Sequence, residues 1–408
     1  MILNKSVSFF FKAIVIMLAF ICIIFQSKTV LADDSSNDGE NVPYRIGKLL
    51  ETPKNLPQRL FYDSGIDIPY PKDGVRGIYA SAYNFNGESR DDLIQFLDDT
   101  KLNSIVIDVK DDTGFITMPL KGVTHEQGKN NFENIIPDTN DMLKTLEDHE
   151  IYPIARIVVF KDSILAGERP DLSFTQADGS LWSSGAGDKF VNPFKKEVWD
   201  YNVQVAEAAA KAGFKEIQFD YVRFPEGFET FSHNLNYDAE NYSNESEDLN
   251  QRVDAVTDFV AYAHEKLKPY GVKVSVDIFG YAATIDEASG IGQNFSSISS
   301  NVDIISSMIY PSHWGTSYFG IDKPDLHPYE LVSAYMEVEN ALLGQHDEKP
   351  VSRPWLQDFT ASYLGYGNYL EYGADEVNDQ LDALRDAGVN EYLLWNATND
   401  YTRTGVNF

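Results

Sequence analysis

Cysteine is almost missing from this chain of 408 residues. The one cysteine, Cys22, lies in an apolar run close to the N-terminus, and none follows it. Beyond that run the protein can therefore form no disulfide bond, no thiolate metal site and no cysteine nucleophile.

Other signatures of catalysis are missing as well. The seven histidines include no close pair at metal-ligand spacing. No G-x-S-x-G pattern points to a nucleophilic serine. No glycine-rich phosphate turn follows the first strand-like run, RGIYASAY at residues 76–83. We therefore predict no cofactor and no bound metal ion.

Positive charge is scarce, because 33 Lys and Arg face 63 Asp and Glu, for a formal net charge of −30. A surface of this sign repels nucleic acid and anionic lipid, so neither is predicted as a partner. The negative charge neither favours nor disfavours the binding of neutral sugars. The same acidity can serve only to keep an exported protein soluble.

The N-terminal segment has the pattern of an export signal. Lys5 and Lys12 precede an apolar run at residues 13–25, and residues 30–32, Val-Leu-Ala, offer a cleavage point. We predict a signal peptide over residues 1–32 and a secreted or extracellular protein, with association with the cell envelope as a variant. The run is short for a membrane span, and retention as an uncleaved anchor is the alternative. Residues 33–73, polar and then rich in proline, are predicted to be a linker and an irregular lead-in segment.

Residues 74–408 show eight strand-like runs that alternate with seven helical ones. This alternation predicts a single (β/α)8 TIM barrel. An open, doubly wound sheet is the competing fold, but it seldom needs eight consecutive units. The fourth strand is EIQFDYVRFP at residues 216–225, whose alternation places Gln218 and Asp220 on the face opposite Ile217 and Phe219.

A barrel of this kind builds its active site from the C-terminal ends of its strands. Three acids are predicted to point inward there, namely Asp108 on the second strand, Asp220 on the fourth and Asp277 on the fifth. Burying acids costs free energy unless they form ion pairs or take part in chemistry. The same parity turns Lys110 inward, whereas Asp111 and Asp112 follow the strand and are interpreted as loop acids.

Hydrolysis of a glycosidic bond needs two carboxyl groups, one protonated and one ionised. We predict Asp220 as the nucleophile or base and Asp277 as the acid, with Asp108 beside them. The alternative is that these acids form structural ion pairs, since such pairs imitate active sites. Arg223 lies off the inward face and is interpreted as a residue that anchors the loop or forms an ion pair.

Aromatic and polar residues at the same end favour a carbohydrate ligand, because sugar rings pack their C–H faces on aromatic planes. For Trp355 and Trp395 the alternative is a place in the barrel core. The predicted substrate-binding residues are Arg156, Gln218, Tyr310, His313, Trp314, Trp355, Gln357, Asp358, Trp395 and Asn396.

Residues 74–408 contain, in order, the segments RGIYASAY, NSIVIDVKDDTG, YPIARIVVFKD, KEIQFDYVRFP, VSVDIFGY, IISSMIYPSHW, RPWLQDF and LLWNATN. Together they resemble a family of bacterial exported proteins classed as glycoside hydrolase domains of the TIM-barrel superfamily. The resemblance implies a barrel and a glycosidase whose partner is a cell-wall or extracellular polysaccharide. The order of acids is also similar to that of α-amylase-like barrels, with Asp277 in place of their Glu and Asp358 in place of their third acid.

Two other functions remain open at this stage. A non-catalytic barrel of the cell envelope could bind glycan with the same aromatic and acidic residues. A metal-dependent polysaccharide deacetylase is the other, although it would need a cluster of Asp and His ligands that the order of residues does not supply.

Overall fold

The computed structural model describes residues 61–123, 132–242 and 250–408. The predicted signal peptide and residues 33–60 of the predicted linker lie outside this part of the chain. Within it, no helix combines the length and the apolar character needed to cross a membrane.

Eight parallel strands close into a barrel, which confirms the predicted (β/α)8 fold. Closure comes from the pairing of the last strand with the first, Leu393 with Gly77. The strands are β1 Arg76–Ala80, β2 Ser104–Lys110, β3 Tyr152–Val158, β4 Glu216–Asp220, β5 Lys273–Phe279, β6 Ile304–Met308, β7 in two pieces Val351–Ser352 and Trp355–Gln357, and β8 Tyr392–Trp395.

One main helix follows each of the first seven strands and covers the barrel with its apolar face. Asp138 begins the second of them by accepting hydrogen bonds from the backbone N–H groups of Asn140 and Asp141. The main helices are α1 Gly87–Asp98, α2 Thr139–Asp148, α3 Lys196–Ala212, α4 Asn250–Leu267, α5 Phe295–Ser299, α6 Pro328–Leu343 and α7 Ala374–Asp386.

The seventh strand is interrupted, although the sequence predicts one continuous strand over residues 350–359. Arg353 still donates its backbone N–H to the Ile305 carbonyl at 2.9 Å. Pro354 has no N–H to donate, so the ladder breaks there and resumes at Trp355.

The predicted orientation of Lys110 is wrong. The pairing of β2 with β3 shifts register between Asp108 and Lys110, so that Lys110 lies opposite Ile157. The shift turns its side chain out of the barrel, where its ammonium group pairs with buried Asp162 at 2.7 Å. A β-bulge inserts an extra residue, so the residues after it face the opposite side. The alternation of residue types in the sequence does not reveal this change.

A buried ion network closes the N-terminal end of the barrel. Arg353 donates to Glu216 at 2.7 Å and to Glu391 at 2.9 Å. Tyr70, from the lead-in segment, donates its hydroxyl to Glu391 at 2.7 Å. The described part of the lead-in segment is thus attached to the barrel through side chains, without forming a strand.

We expect Arg353→Met to lower the free energy of unfolding by about 3–5 kcal/mol, because it leaves the fully buried Glu216 without its cation. Chemical denaturation measures this loss. Arg90→Met is the matched control, since its ion pair with Asp141 is largely exposed and surface pairs contribute about 0–1 kcal/mol. Equal losses in the two variants would show that burial does not govern the Arg353 network.

Candidate active site

The Asp220 carboxylate ends β4 and is held by three N–H donors. Its Oδ2 accepts from Arg156 Nε at 2.9 Å and from Arg156 Nη2 at 2.6 Å, and its Oδ1 accepts from the backbone N–H of Tyr221 at 2.6 Å. Tyr221 has φ of 51°, in the left-handed region that bulky residues seldom occupy. The strained turn and the three donors together fix the position of the carboxyl group.

Arg156, on β3, is the centre of an ion cluster at this end of the barrel. Its guanidinium contacts Asp108 at 2.6 Å, Asp112 at 2.8 Å and Asp220 at 2.6 Å. A second cation, Lys161, lies 3.7 Å from Asp112. Burial raises the pKa of Asp108 to about 6, against the opposing effect of Arg156.

Two stacked aromatic rings support the Arg156 guanidinium. Tyr79 and Trp395 lie with ring centroids 4.2 Å apart, and the guanidinium carbon is 5.6 and 5.5 Å from their centroids. Tyr79 also donates its hydroxyl to Asp108 at 2.5 Å. The cation therefore has one fixed position beside Asp220.

Asp277, on the neighbouring strand β5, has a different environment. Its side chain is buried, and its Oδ1 accepts a single hydrogen bond from Trp355 Nε1 at 2.8 Å. Burial, followed by the negative charge of Asp220, raises the pKa of Asp277 well above its usual range. Two carboxyl groups on adjacent strands thus have different surroundings, three N–H donors around Asp220 and burial with a raised pKa for Asp277.

Both carboxyl groups line one cavity of about 310 Å³ at the C-terminal end of the barrel. Burial also lowers the pKa of His313, on its wall, so that this imidazole is neutral at pH 7. The cavity is lined by Asp112, Arg156, Asp220, Tyr221, Arg223, Glu226, Asp277, Phe279, Met308, Tyr310, His313, Trp355 and Trp395.

A wider groove of about 750 Å³ continues from this cavity. The two share Glu226, Phe279, Met308 and His313. Trp314 lines the groove, and a Cβ on Gly280 would lie 2.8 Å from its indole, so only glycine fits there. The cavity and the groove together form one open path across the end of the barrel.

The structure brings together most of the residues predicted on strands three to eight. Trp355 was predicted either to bind substrate or to lie in the barrel core, and it has features of both. Its ring is buried among the strands, while its Nε1 contacts Asp277. The predicted residues that line the cavity are Arg156, Asp220, Asp277, Tyr310, His313, Trp355 and Trp395, and Trp314 lines the groove.

Three other predicted residues lie outside the cavity lining. Asp108 is beneath Arg156 and touches it and Tyr79. Gln218 is fully buried one layer deeper, where it donates to Ser306 at 3.4 Å. Gln357 donates to Asp325 at 3.0 Å and accepts from the Ser312 backbone at 3.1 Å.

Asp358 and Asn396 also lie away from the cavity lining. Asp358 accepts from the Thr402 hydroxyl at 2.7 Å and from its backbone N–H at 2.9 Å. Asn396 donates to the Asp358 carbonyl at 2.6 Å and to the Asp400 carbonyl at 2.7 Å. Both side chains therefore hold the C-terminal segment. Asp358 does not line the cavity, so it does not serve as the third acid of an α-amylase-like site.

Asp112, Arg223 and Glu226 line the cavity, although the sequence did not predict them as site residues. Arg223 does form the predicted ion pair, with Glu226 at 3.2 Å, but its guanidinium also lies over the Phe279 ring in the cavity wall. Their positions in the sequence could have identified two of these residues. Asp112 and Glu226 follow β2 and β4, in loops that build the active end of such barrels.

The cavity offers two carboxyl groups, Asp220 with three N–H donors and Asp277 with a raised pKa. Among the described residues, no three His, Cys, Asp or Glu side chains are grouped so that they could hold a metal ion. The pair can donate a proton on one side of a bound molecule and supply a nucleophile or base on the other.

Solved structures support the fold. The glycoside hydrolase domain of PgaB (BpsB) from Bordetella bronchiseptica is 16% identical, with a TM-score of 0.53 over 79% of this chain and 94% of that one. A β-galactosidase from the haloarchaeon Halorubrum lacusprofundi is 11% identical, with a TM-score of 0.53 over 79% of this chain and 52% of that one. At these identities the likeness shows a shared barrel.

No curated protein sequence matches the chain significantly. A family match does exist, and it spans residues 77–401, from the first strand of the barrel to the segment after the last. The chain therefore belongs to the family described as "Putative glycosyl hydrolase domain".

Proposed function

We propose that this protein is an exported glycoside hydrolase that cleaves a cell-wall or extracellular polysaccharide by a two-carboxylate mechanism. One observation carries the proposal: Asp220 and Asp277 line the same cavity, the first with three N–H donors and the second with a raised pKa. Glycosidic hydrolysis requires a pair of carboxyl groups in which one is ionised and the other is protonated.

In this mechanism Asp277 donates its proton to the leaving glycosidic oxygen. Asp220 either attacks the anomeric carbon or removes a proton from the attacking water. Arg156 is a positioning residue that orients Asp220, and Asp108 and Tyr79 in turn orient Arg156.

The groove supports a polymer as substrate. It is open, and it extends the cavity by a volume larger than that of the cavity itself, about 750 against 310 Å³. Tyr281, Trp314 and Tyr318 line it with aromatic surface. A chain of sugars could therefore place one unit at the two acids and pack its neighbours along these rings.

Export is part of the proposal and rests on the sequence pattern at residues 1–32. A substrate outside the cell agrees with it. Measuring whether the protein reaches the culture medium or stays with the cell fraction distinguishes cleavage of the signal from its retention as an anchor.

A polysaccharide panel tests the function. We expect the purified protein to release reducing ends from at least one cell-wall or extracellular polysaccharide, with a rate unchanged by a chelator. The carbohydrate-binding alternative instead predicts saturable glycan binding with no reducing ends. The deacetylase alternative predicts release of acetate that is lost on chelation and restored by a divalent ion. Either of these two results would contradict the proposal.

A further inference from the structure

A second large cavity lies at the opposite end of the barrel. It has a volume of about 1100 Å³ and is formed by segments that precede β1, β2, β7 and β8. Residues 72–74, Lys101, residues 349–350 and residues 387–391 contribute to it. All of them lie at the N-terminal ends of the strands, the end that is farther from Asp220.

This cavity concentrates positive charge. Lys72, Arg76, Lys101 and Lys349 line it. Within the described ranges, none of the four has a carboxylate at ion-pair distance, whereas most of the other described Lys and Arg do.

The acids of the cavity do not cancel this charge. Two of them line it, Asp73 and Glu391. Glu391 is already engaged by Arg353 at 2.9 Å and by the Tyr70 hydroxyl at 2.7 Å. Among the residues that the structure describes, the cavity therefore holds four cations and one acid, Asp73, without an ion-pair partner, in a protein whose formal net charge is −30.

Four like charges around one cavity repel one another, and a bound anion would relieve that repulsion. Lysine ammonium groups act as point charges for phosphate, and the Arg76 guanidinium can form paired hydrogen bonds with its oxygens. A general need for solubility does not explain the cluster, because the remaining surface of the protein achieves solubility with acids.

We propose that this cavity binds a phosphate-bearing anion. The ligand is either the headgroup of an anionic lipid or the phosphate of a soluble or polymeric molecule. Since the cavity and Asp220 lie at opposite ends of the strands, a protein attached through its cations would keep its candidate active site open. The proposal does not depend on the glycosidase activity.

The test uses the full chain and two sets of substitutions that remove equal charge. The first replaces Lys72, Lys101 and Lys349 with Gln. The control replaces Lys121, Lys266 and Lys323 with Gln, because these lysines lie outside the cavity and also lack a carboxylate at ion-pair distance within the described residues. Calorimetry with inorganic pyrophosphate, and flotation with phosphatidylglycerol or phosphatidylcholine vesicles, measure binding.

We expect saturable pyrophosphate binding that weakens at least about tenfold in the cavity variant, stays unchanged in the control, and falls with added salt. Flotation with phosphatidylglycerol alone, lost in the cavity variant, identifies a lipid headgroup. Pyrophosphate binding without flotation identifies a soluble or polymeric phosphate. The proposal is overturned if neither probe binds, or if both variants weaken binding equally.

Discussion

Asp220→Asn is expected to reduce the rate of glycosidic hydrolysis by at least about 10³-fold while the barrel stays folded, since both carboxyl groups are needed. The amide is isosteric and keeps an oxygen that can accept from Arg156, whose guanidinium still contacts Asp108 and Asp112. Turnover of the polysaccharide found in the panel gives the rate, and circular dichroism with thermal melting verifies the fold.

A surface acid provides the control for this substitution. Asp178 is exposed, and among the described residues its side chain bonds within its own loop, to Ser180, so Asp178→Asn should leave the rate unchanged. An undiminished rate in Asp220→Asn would end the assignment. The anomeric configuration of the first product released by the unsubstituted protein distinguishes the two roles of Asp220, because a nucleophile gives retention and a base gives inversion.

Asp277→Asn is expected to reduce the rate by about 10²–10⁴-fold, the contribution of a general acid. Burial and the charge of Asp220 raise the pKa of Asp277, so its carboxyl group stays protonated at pH values where an exposed Asp has ionised. Activity should therefore fall as pH rises through this raised pKa. The variant should lose that alkaline limb, because its amide does not titrate.

The leaving group provides the decisive comparison for Asp277. A dinitrophenyl glycoside of the same sugar departs without protonation, so Asp277→Asn should retain most of its rate on that substrate and little on the polysaccharide. Asp220→Asn should be inactive on both. If Asp277→Asn loses equal activity on the two substrates, Asp277 is not the acid.

Much of the fold could be predicted because it depends on local patterns. Eight alternating apolar runs and seven amphipathic ones set the order of strands and helices, and the right-handed crossover between parallel strands leaves few ways to arrange them. Pro354 was visible in the sequence, yet the run around it still predicted one strand. The interruption depends on which backbone N–H the neighbouring strand requires, which a single strand does not reveal.

The candidate site was predictable where parity held. Asp220 and Asp277 lie on regular strands and line the cavity. Parity failed at Lys110, where a bulge reverses the faces. Parity also could not show whether Gln357 or Asp358 would line the cavity. Both lie at a strand end, and their partners, Asp325 and Thr402, come from distant segments.

The sequence by itself determined the barrel, the inward direction of Asp220 and Asp277, and the acidity of the whole chain, because each follows from composition or from the period of a strand. The tertiary structure alone decided that Arg156 binds three carboxyl groups, that Trp355 reaches Asp277, and that four cations line one cavity at the opposite end. These are contacts between residues far apart in the chain. The charge of the titratable side chains in these contacts depends on burial and on neighbours that only the closed barrel brings together.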